Sequence, residues 1–186
     1  LGKGGCSATL ETFKRENSMK FDPFAMERWQ STYEHAVRFN LSESGVEPLT
    51  LGELIELVGM DPAELSDTLI EYMPSDGSPG LRSAIAEMYP DATPNNVLVT
   101  NGGAEANFVT SWLLCKPGDH LVYLAPNYMQ FPGMAVNLGC TAQPLPLREE
   151  TGWQPDLDEL SSLVTDATRL ILVTNPNNPT GAILST

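Results

Sequence analysis

The sequence predicts an α/β fold: a three-layer α-β-α arrangement whose mostly parallel sheet carries helices on both faces. From residue 96 onward, short β-branched or apolar runs alternate with segments of helical period. One of the runs, "RLILVT" at 169–174, is continuously apolar, as in a strand buried on both faces. Glycine- or proline-rich turns stand directly after three of them, where open α/β sheets gather their loops.

Between Phe24 and Phe39, the residues Phe24, Met26, Trp29, Tyr33, Ala36 and Val37 recur at helical spacing and predict an amphipathic helix. "NLSESGVEPL" interrupts it. Thr50 with Glu53 is a capping-box pattern opening "LGELIELVG", and Asp61 with Glu64 repeats the device for "PAELSDTLIEY". After the loop "MPSDGSPG", Ser78 as N-cap and Pro79 at the first helical position start "GLRSAIAEMY", which Pro90 ends. The alternation follows: strand 96–100, helix 103–115, strand 120–125, helix 129–139, strand 141–147, helix 157–164 and strand 169–174. Pro144 and Pro146 push the strand 141–147 to an edge.

With 186 residues and 41% hydrophobic content the chain can bury one sizeable core. Twenty-four acidic residues against 10 basic ones give a net charge of −14, and downstream of residue 50 there are 17 acids and four bases. Nucleic acid is not an expected partner, because phosphate neutralisation needs clustered Lys and Arg; the acidity reads as a solvated surface. Cys6, Cys115 and Cys140 form no CxxC pair, and with Cys115 and Cys140 in apolar segments they read as buried thiols of a reducing compartment. His35 and His120 lack zinc-site spacing, so no metal is expected, and both read as surface or strand-edge residues. No apolar run reaches the roughly 18 residues of a membrane span, and no signal-peptide pattern opens the chain; a cytoplasmic location is expected. Residues 1–18 show no hydrophobic period and read as an extension, with Met19 as the natural start.

Three strand ends carry unusual residues. In "VTNGGAEAN" (99–107) a strand runs through two glycines into a helix; the backbone there can approach a ligand, and first-turn N–H groups favour an anion. The same turn also suits a plain tight connection, and it is neither GxGxxG nor a P-loop. In "YLAPNYMQF" (123–131) Pro126 stops the strand and Tyr128 follows, suited either to stacking on a planar heterocycle or to a core position. In "TNPNNPTG" (174–181) prolines restrict a turn that can aim one asparagine amide at an oxygen of a ligand, while Asn175 and Asn177 read as turn chemistry. An anion cradle, an aromatic plate and a directed amide together suit pyridoxal 5′-phosphate.

The segments Tyr72-"MPSDGSPGLRSAIAEMY", "VTNGGAEAN", "PGDHLVYLAPNY" and "LVTNPNNPTG", in this order, resemble the N-terminal half of the class I/II aminotransferases, pyridoxal-phosphate enzymes of fold type I. The resemblance implies that Gly102, Gly103 and Ala104 hold the cofactor phosphate, that Tyr128 stacks on the pyridine ring and that Asn178 donates to its phenolic oxygen. It implies that Tyr72 reaches the phosphate of a neighbouring subunit in a homodimer, that Gly45 lies near the substrate carboxylate, and that the Ala125–Pro126 and Asn178–Pro179 bonds are cis. Residues 19–60 would belong with the small domain and substrate entrance, and 61–186 would form the first half of the cofactor-binding large domain.

In this chemistry a lysine forms the Schiff base with the cofactor and moves the proton. The lysines are Lys3, Lys14, Lys20 and Lys116, none downstream of Asn178, so no catalytic residue is assigned; the expectation is a truncated chain, inactive and poorly stable by itself. The resemblance implies amino-group transfer between an amino acid and a 2-oxo acid. The alternative is elimination, cyclisation or oxidation of an amino acid on the same fold, because "ERWQSTYEHAVRFNLSESGVEPLTLGEL" is similar to the N-termini of arginine-cyclase-like enzymes. A regulator with an aminotransferase-like domain is disfavoured, since no basic helix-turn-helix segment precedes residue 40.

Overall fold

β1 (His120–Ala125) is apolar at almost every position, so both of its faces need cover. It receives that cover, in the computed structural model, which describes residues 23–42 and 45–185. Expectations for residues 1–18, Met19 and Cys6 lie outside them. Parallel strands β2 (Thr141–Pro146) and β3 (Thr168–Leu172) flank β1 in the order β2-β1-β3. The register aligns Leu124 with Leu145 and Tyr123 with Leu172, with an irregularity between His120 and Leu121. Leu121 and Val122 are both buried and, being successive strand residues, point to opposite faces. On one face Val122, Leu124, Leu145 and Leu147 pack with Trp153 and with Leu160 and Leu163 of the helix Leu157–Leu163. On the other, Leu121, Ala135 and Cys140 pack with Cys115, Leu170 and Leu172, and Ala135 comes from the helix Gln130–Asn137. These are the three predicted layers.

Numbered in chain order, the helices are α1 (Ala25–Tyr33), α2 (Leu51–Val58), α3 (Pro62–Ser66), α4 (Pro79–Ala86), α5 (Gly102–Leu114), α6 (Gln130–Asn137) and α7 (Leu157–Leu163). The chain divides into two compact units, Leu1–Val37 with Asn107–Thr186, which holds the sheet, and Arg38–Ala106.

In the unit Arg38–Ala106 the caps follow the sequence signals. Thr50 and Glu53 form the capping box, with Glu53 N–H donating to Thr50 Oγ1 at 3.2 Å and Thr50 N–H to Glu53 Oε2 at 2.8 Å. Those bonds to Thr50, backbone first, hold the Glu53 carboxyl below its ordinary value. Ser78 accepts from Leu81 N–H at 3.3 Å, with Pro79 at the start of α4. Asp61 accepts from Ala63 N–H at 2.9 Å but has no reciprocal bond from Glu64, and α3 stops at Ser66, short of the predicted "PAELSDTLIEY". Arg82 of α4 ties the segments before and after its helix together: it pairs with Asp76, and its Nε donates to the carbonyls of Pro94 and Val97 at 3.0 and 3.1 Å.

Three further expectations are corrected. Residues 96–100 form no strand: Val99 N–H donates to Asp76 O at 3.1 Å and Val97 N–H to Pro94 O at 3.2 Å, so this β-branched run lacks a ladder among the described residues. β3 is half-covered rather than buried on both faces, with Ile171 46% exposed, because it is the edge strand of the described sheet. His120 is buried, not peripheral: its Nδ1 lies 2.8 Å from Thr168 Oγ1 and its Nε2 3.2 Å from Gln143 Oε1, so the ring spans all three strands. Pro144 and Pro146 do sit on an edge strand.

Emptying the fully buried Leu145 site by Leu145→Ala is expected to cost about 2–5 kcal/mol, read from urea unfolding; a change near zero would mean that this layer is not the core. Gly77 has φ +102°, and an added Cβ would fall 2.5 Å from Val99 Cγ2 and 2.7 Å from its Cβ. Gly77→Ala is therefore expected to destabilise by about 1–3 kcal/mol in the same measurement, and equal midpoints for variant and parent would refute the close approach.

Candidate functional site

The carboxyl ends of β1 and β3 lead into two loops, and hydrogen bonds join those loops. After β1 comes Pro126-Asn127-Tyr128; after β3 comes Val173 to Gly181. Asn127 donates from Nδ2 to Leu124 O at 2.9 Å, and its Oδ1 accepts from the Thr174 hydroxyl at 2.9 Å. Asn177 donates from Nδ2 to Pro126 O at 3.2 Å. The Ala125–Pro126 and Asn178–Pro179 bonds are cis, as expected, and so is Asn175–Pro176.

The asparagines of "TNPNNPTG" divide their labour. Asn177 is 5% exposed, and its Oδ1 accepts from Thr180 N–H and Oγ1 at 3.2 and 2.8 Å. Its backbone donates to Ala182 O and accepts from Gly181 N–H. Asn175 Oδ1 accepts from Leu184 N–H at 3.1 Å. Asn178 is exposed, and its amide has no hydrogen-bond partner among the described residues. A buried polar side chain is retained where its bonds are satisfied, and Asn177 meets that condition. Asn175 and Asn177 are thus turn chemistry, and Asn178 is the amide left to face outward.

Tyr128 is half-buried. Its ring centroid lies 5.4 Å from that of Phe24 at an interplanar angle of 60°, and its hydroxyl donates to Glu27 Oε1 of α1 at 3.1 Å. Burial first, then the bond to Glu27 and its negative charge, push the phenol above its ordinary value. Two residues on, Gln130 of α6 accepts from Asn107 Nδ2 of α5 at 2.9 Å. Glu27, Asn127 and Thr174 are not singled out in the sequence, and Phe24 is read there only as part of a helix face. Asn127, directly after a strand-ending proline, carries a turn-residue signal; a contact between Glu27 and Tyr128, 101 positions apart, leaves none.

The remaining candidates lie in the unit Arg38–Ala106. Gly102 opens the 13-residue α5 with φ +83°, a conformation that suits glycine. A Cβ added to Gly102 or Gly103 would meet no atom within 4 Å, so the turn borders open space that a side chain would take up. Glu105 folds back so that its Oε2 accepts from Asn101 N–H at 2.5 Å. Gly102 N–H donates to Thr100 O at 2.9 Å, and glycines that open a helix bring backbone to its N-terminal end, which favours an anion such as a phosphate. In the sheet unit, the half-buried ring of Tyr128 and the exposed amide of Asn178 suit a planar heterocycle bearing an oxygen. Tyr72 is fully exposed in an irregular segment, and Gly45 is exposed. Among the described residues no group of three or more His, Cys, Asp or Glu side chains could hold a metal, and no helix is long and apolar enough to cross a membrane.

A family model, aminotransferase class I and II, matches residues 45–186. Capreomycidine synthase of Streptomyces vinaceus is 36% identical over 162 residues, 84% of this chain and 41% of that protein. A PLP-dependent aminotransferase from Streptococcus suis superposes with a TM-score of 0.83 at 33% identity, covering 88% of this chain and 45% of that one. A PLP-dependent cyclase, OrfR, gives a TM-score of 0.80 at 32% identity over 89% of this chain and 44% of its own. The chain thus spans about two fifths of the curated relative's length.

The Glu27 contact predicts a titration. Because the phenol is raised, Tyr128 keeps its proton above the ordinary value of about 10 and loses it, with its share of stability, as pH rises through the folded value. Glu27→Gln removes the charge and is expected to move that titration downward, followed as phenolate absorbance in difference against Tyr128→Phe; an unmoved curve would dismiss the contact.

Proposed function

The chain belongs to the class I and II aminotransferase family, and on that footing we propose that it is the cofactor-binding portion of a pyridoxal-phosphate enzyme moving an amino group between an amino acid and a 2-oxo acid. The observation that carries this reading is the pair of linked loops after β1 and β3, one bearing the aromatic ring of Tyr128 and the other the outward amide of Asn178. Fold similarity to PLP-dependent enzymes supports it.

Gly102, Gly103 and Ala104 would hold the phosphate dianion through helix N–H groups, which favour negative charge. Tyr128 would lie against the heterocycle and exclude water from that face. Asn178 Nδ2 would donate to the ring oxygen and keep a proton off it. Gly45 would let backbone approach the substrate carboxylate, and Tyr72 would donate to the phosphate of a second copy, making the protein a homodimer. Residues 19–60 would belong with the small domain and substrate entrance, and 61–186 would form the first half of the cofactor-binding large domain, of a cytoplasmic enzyme. Pyridoxal phosphate, when bound, supplies an electron sink for charge developing at the amino acid's Cα.

Similarity to capreomycidine synthase and to a cyclase favours a second reading, elimination or cyclisation on the same fold. Incubating the cofactor-loaded whole protein with an amino acid panel and chromatographing the released cofactor separates the two. Accumulation of pyridoxamine phosphate is the expected result; new amino-acid products without it would favour the second reading. Absence of any bound cofactor after reconstitution would sink both.

A further inference from the structure

We propose that Asn127 and Thr174 are positioning residues that lock the β1 and β3 loops together and so set the placement of Tyr128 relative to Asn178. The inference rests on the reading of Tyr128 and Asn178 as cofactor contacts. Each of these two residues directly follows an asparagine that bonds to the opposite loop. Asn127 accepts from the Thr174 hydroxyl at 2.9 Å, and Asn177 donates to Pro126 O at 3.2 Å. A single hydrogen bond leaves a hinge, whereas two at separate points restrict rotation between the loops as well as separation. Both ends of the Asn127 amide are engaged, one by Thr174 and one by Leu124 O, which suits it to holding the loop. Asn177 is bound into its own turn, so Thr174 is the member of the clamp that can be altered with least disturbance to the backbone.

Thr174→Val keeps the side-chain shape and removes the donor. The whole protein, stripped of cofactor, is titrated with pyridoxal 5′-phosphate, reading both the dissociation constant and the induced circular dichroism of the bound ring. Thr174→Val is expected to weaken binding about five- to tenfold, the worth of one hydrogen bond, and to reduce the dichroism. Thr174→Ser, which restores the hydroxyl, is expected to return both to within about twofold of wild type. In a Tyr128→Ala background the effect of Thr174→Val is expected to shrink below about twofold, since nothing is left to position. Asn127→Ala, which removes the other partner, is expected to give the same pattern, and thermal midpoints check that each variant is folded. Wild-type affinity in Thr174→Val and Asn127→Ala overturns the clamp while leaving the cofactor reading intact, as does an equal loss with and without Tyr128. A wild-type protein that does not bind the cofactor overturns the cofactor reading, and the clamp with it.

Discussion

The central strand β1 imposes the constraint on which the sheet unit depends: "HLVYLA" presents apolar side chains to both faces, and both must leave water. Leu121 on one face and Val122 on the other can be buried together only if helices cover both sides, and α6 and α7 do so. Covering both faces leaves the strand ends as the places where irregular backbone can gather. The parallel pairing with β2 and β3 then brings the carboxyl ends of the strands to one edge. Tyr128 and Asn178 follow strands that end on that edge.

At that edge the polar chemistry divides between residues that hold and residues that face outward. Asn177 uses its amide and backbone inside the turn, so its burial carries no unsatisfied polar group. Asn178, its neighbour in sequence, is left exposed. Asn127 repeats the pattern beside Tyr128, and Glu27 and Phe24 of the α1 region contact the tyrosine through its hydroxyl and its ring. The same economy appears in the other unit, where Arg82 binds Asp76 and two loop carbonyls while Gly102 and Gly103 stay bare.

Local signals were legible where the physics is local. Thr50 and Ser78 cap the helices they precede, since a cap needs only the next three residues. The strands at 120–125 and 141–146 and their helices were legible for the same reason, and Pro144 and Pro146 correctly marked an edge. Residues 96–100 show the limit: β-branched residues favour extended backbone, but a strand also needs a neighbour to pair with. The end of α3 at Ser66 is a second case, because the apolar residues Leu69 and Ile70 beyond it are exposed and gain nothing from a longer helix.

The sequence by itself determined the layer order, the family and the two strand-end loops that carry Tyr128 and Asn178, because periodicity, caps and proline-rich turns are written in consecutive residues. Tertiary structure decided what those loops touch. The hydrogen bond from Thr174 to Asn127 spans 47 positions, and that from Tyr128 to Glu27 spans 101. The burial of His120 among three strands likewise depends on register. Contacts of this kind exist only once the strands have paired, since a side chain's partner across the fold is set by register and packing, which no local run of residues encodes.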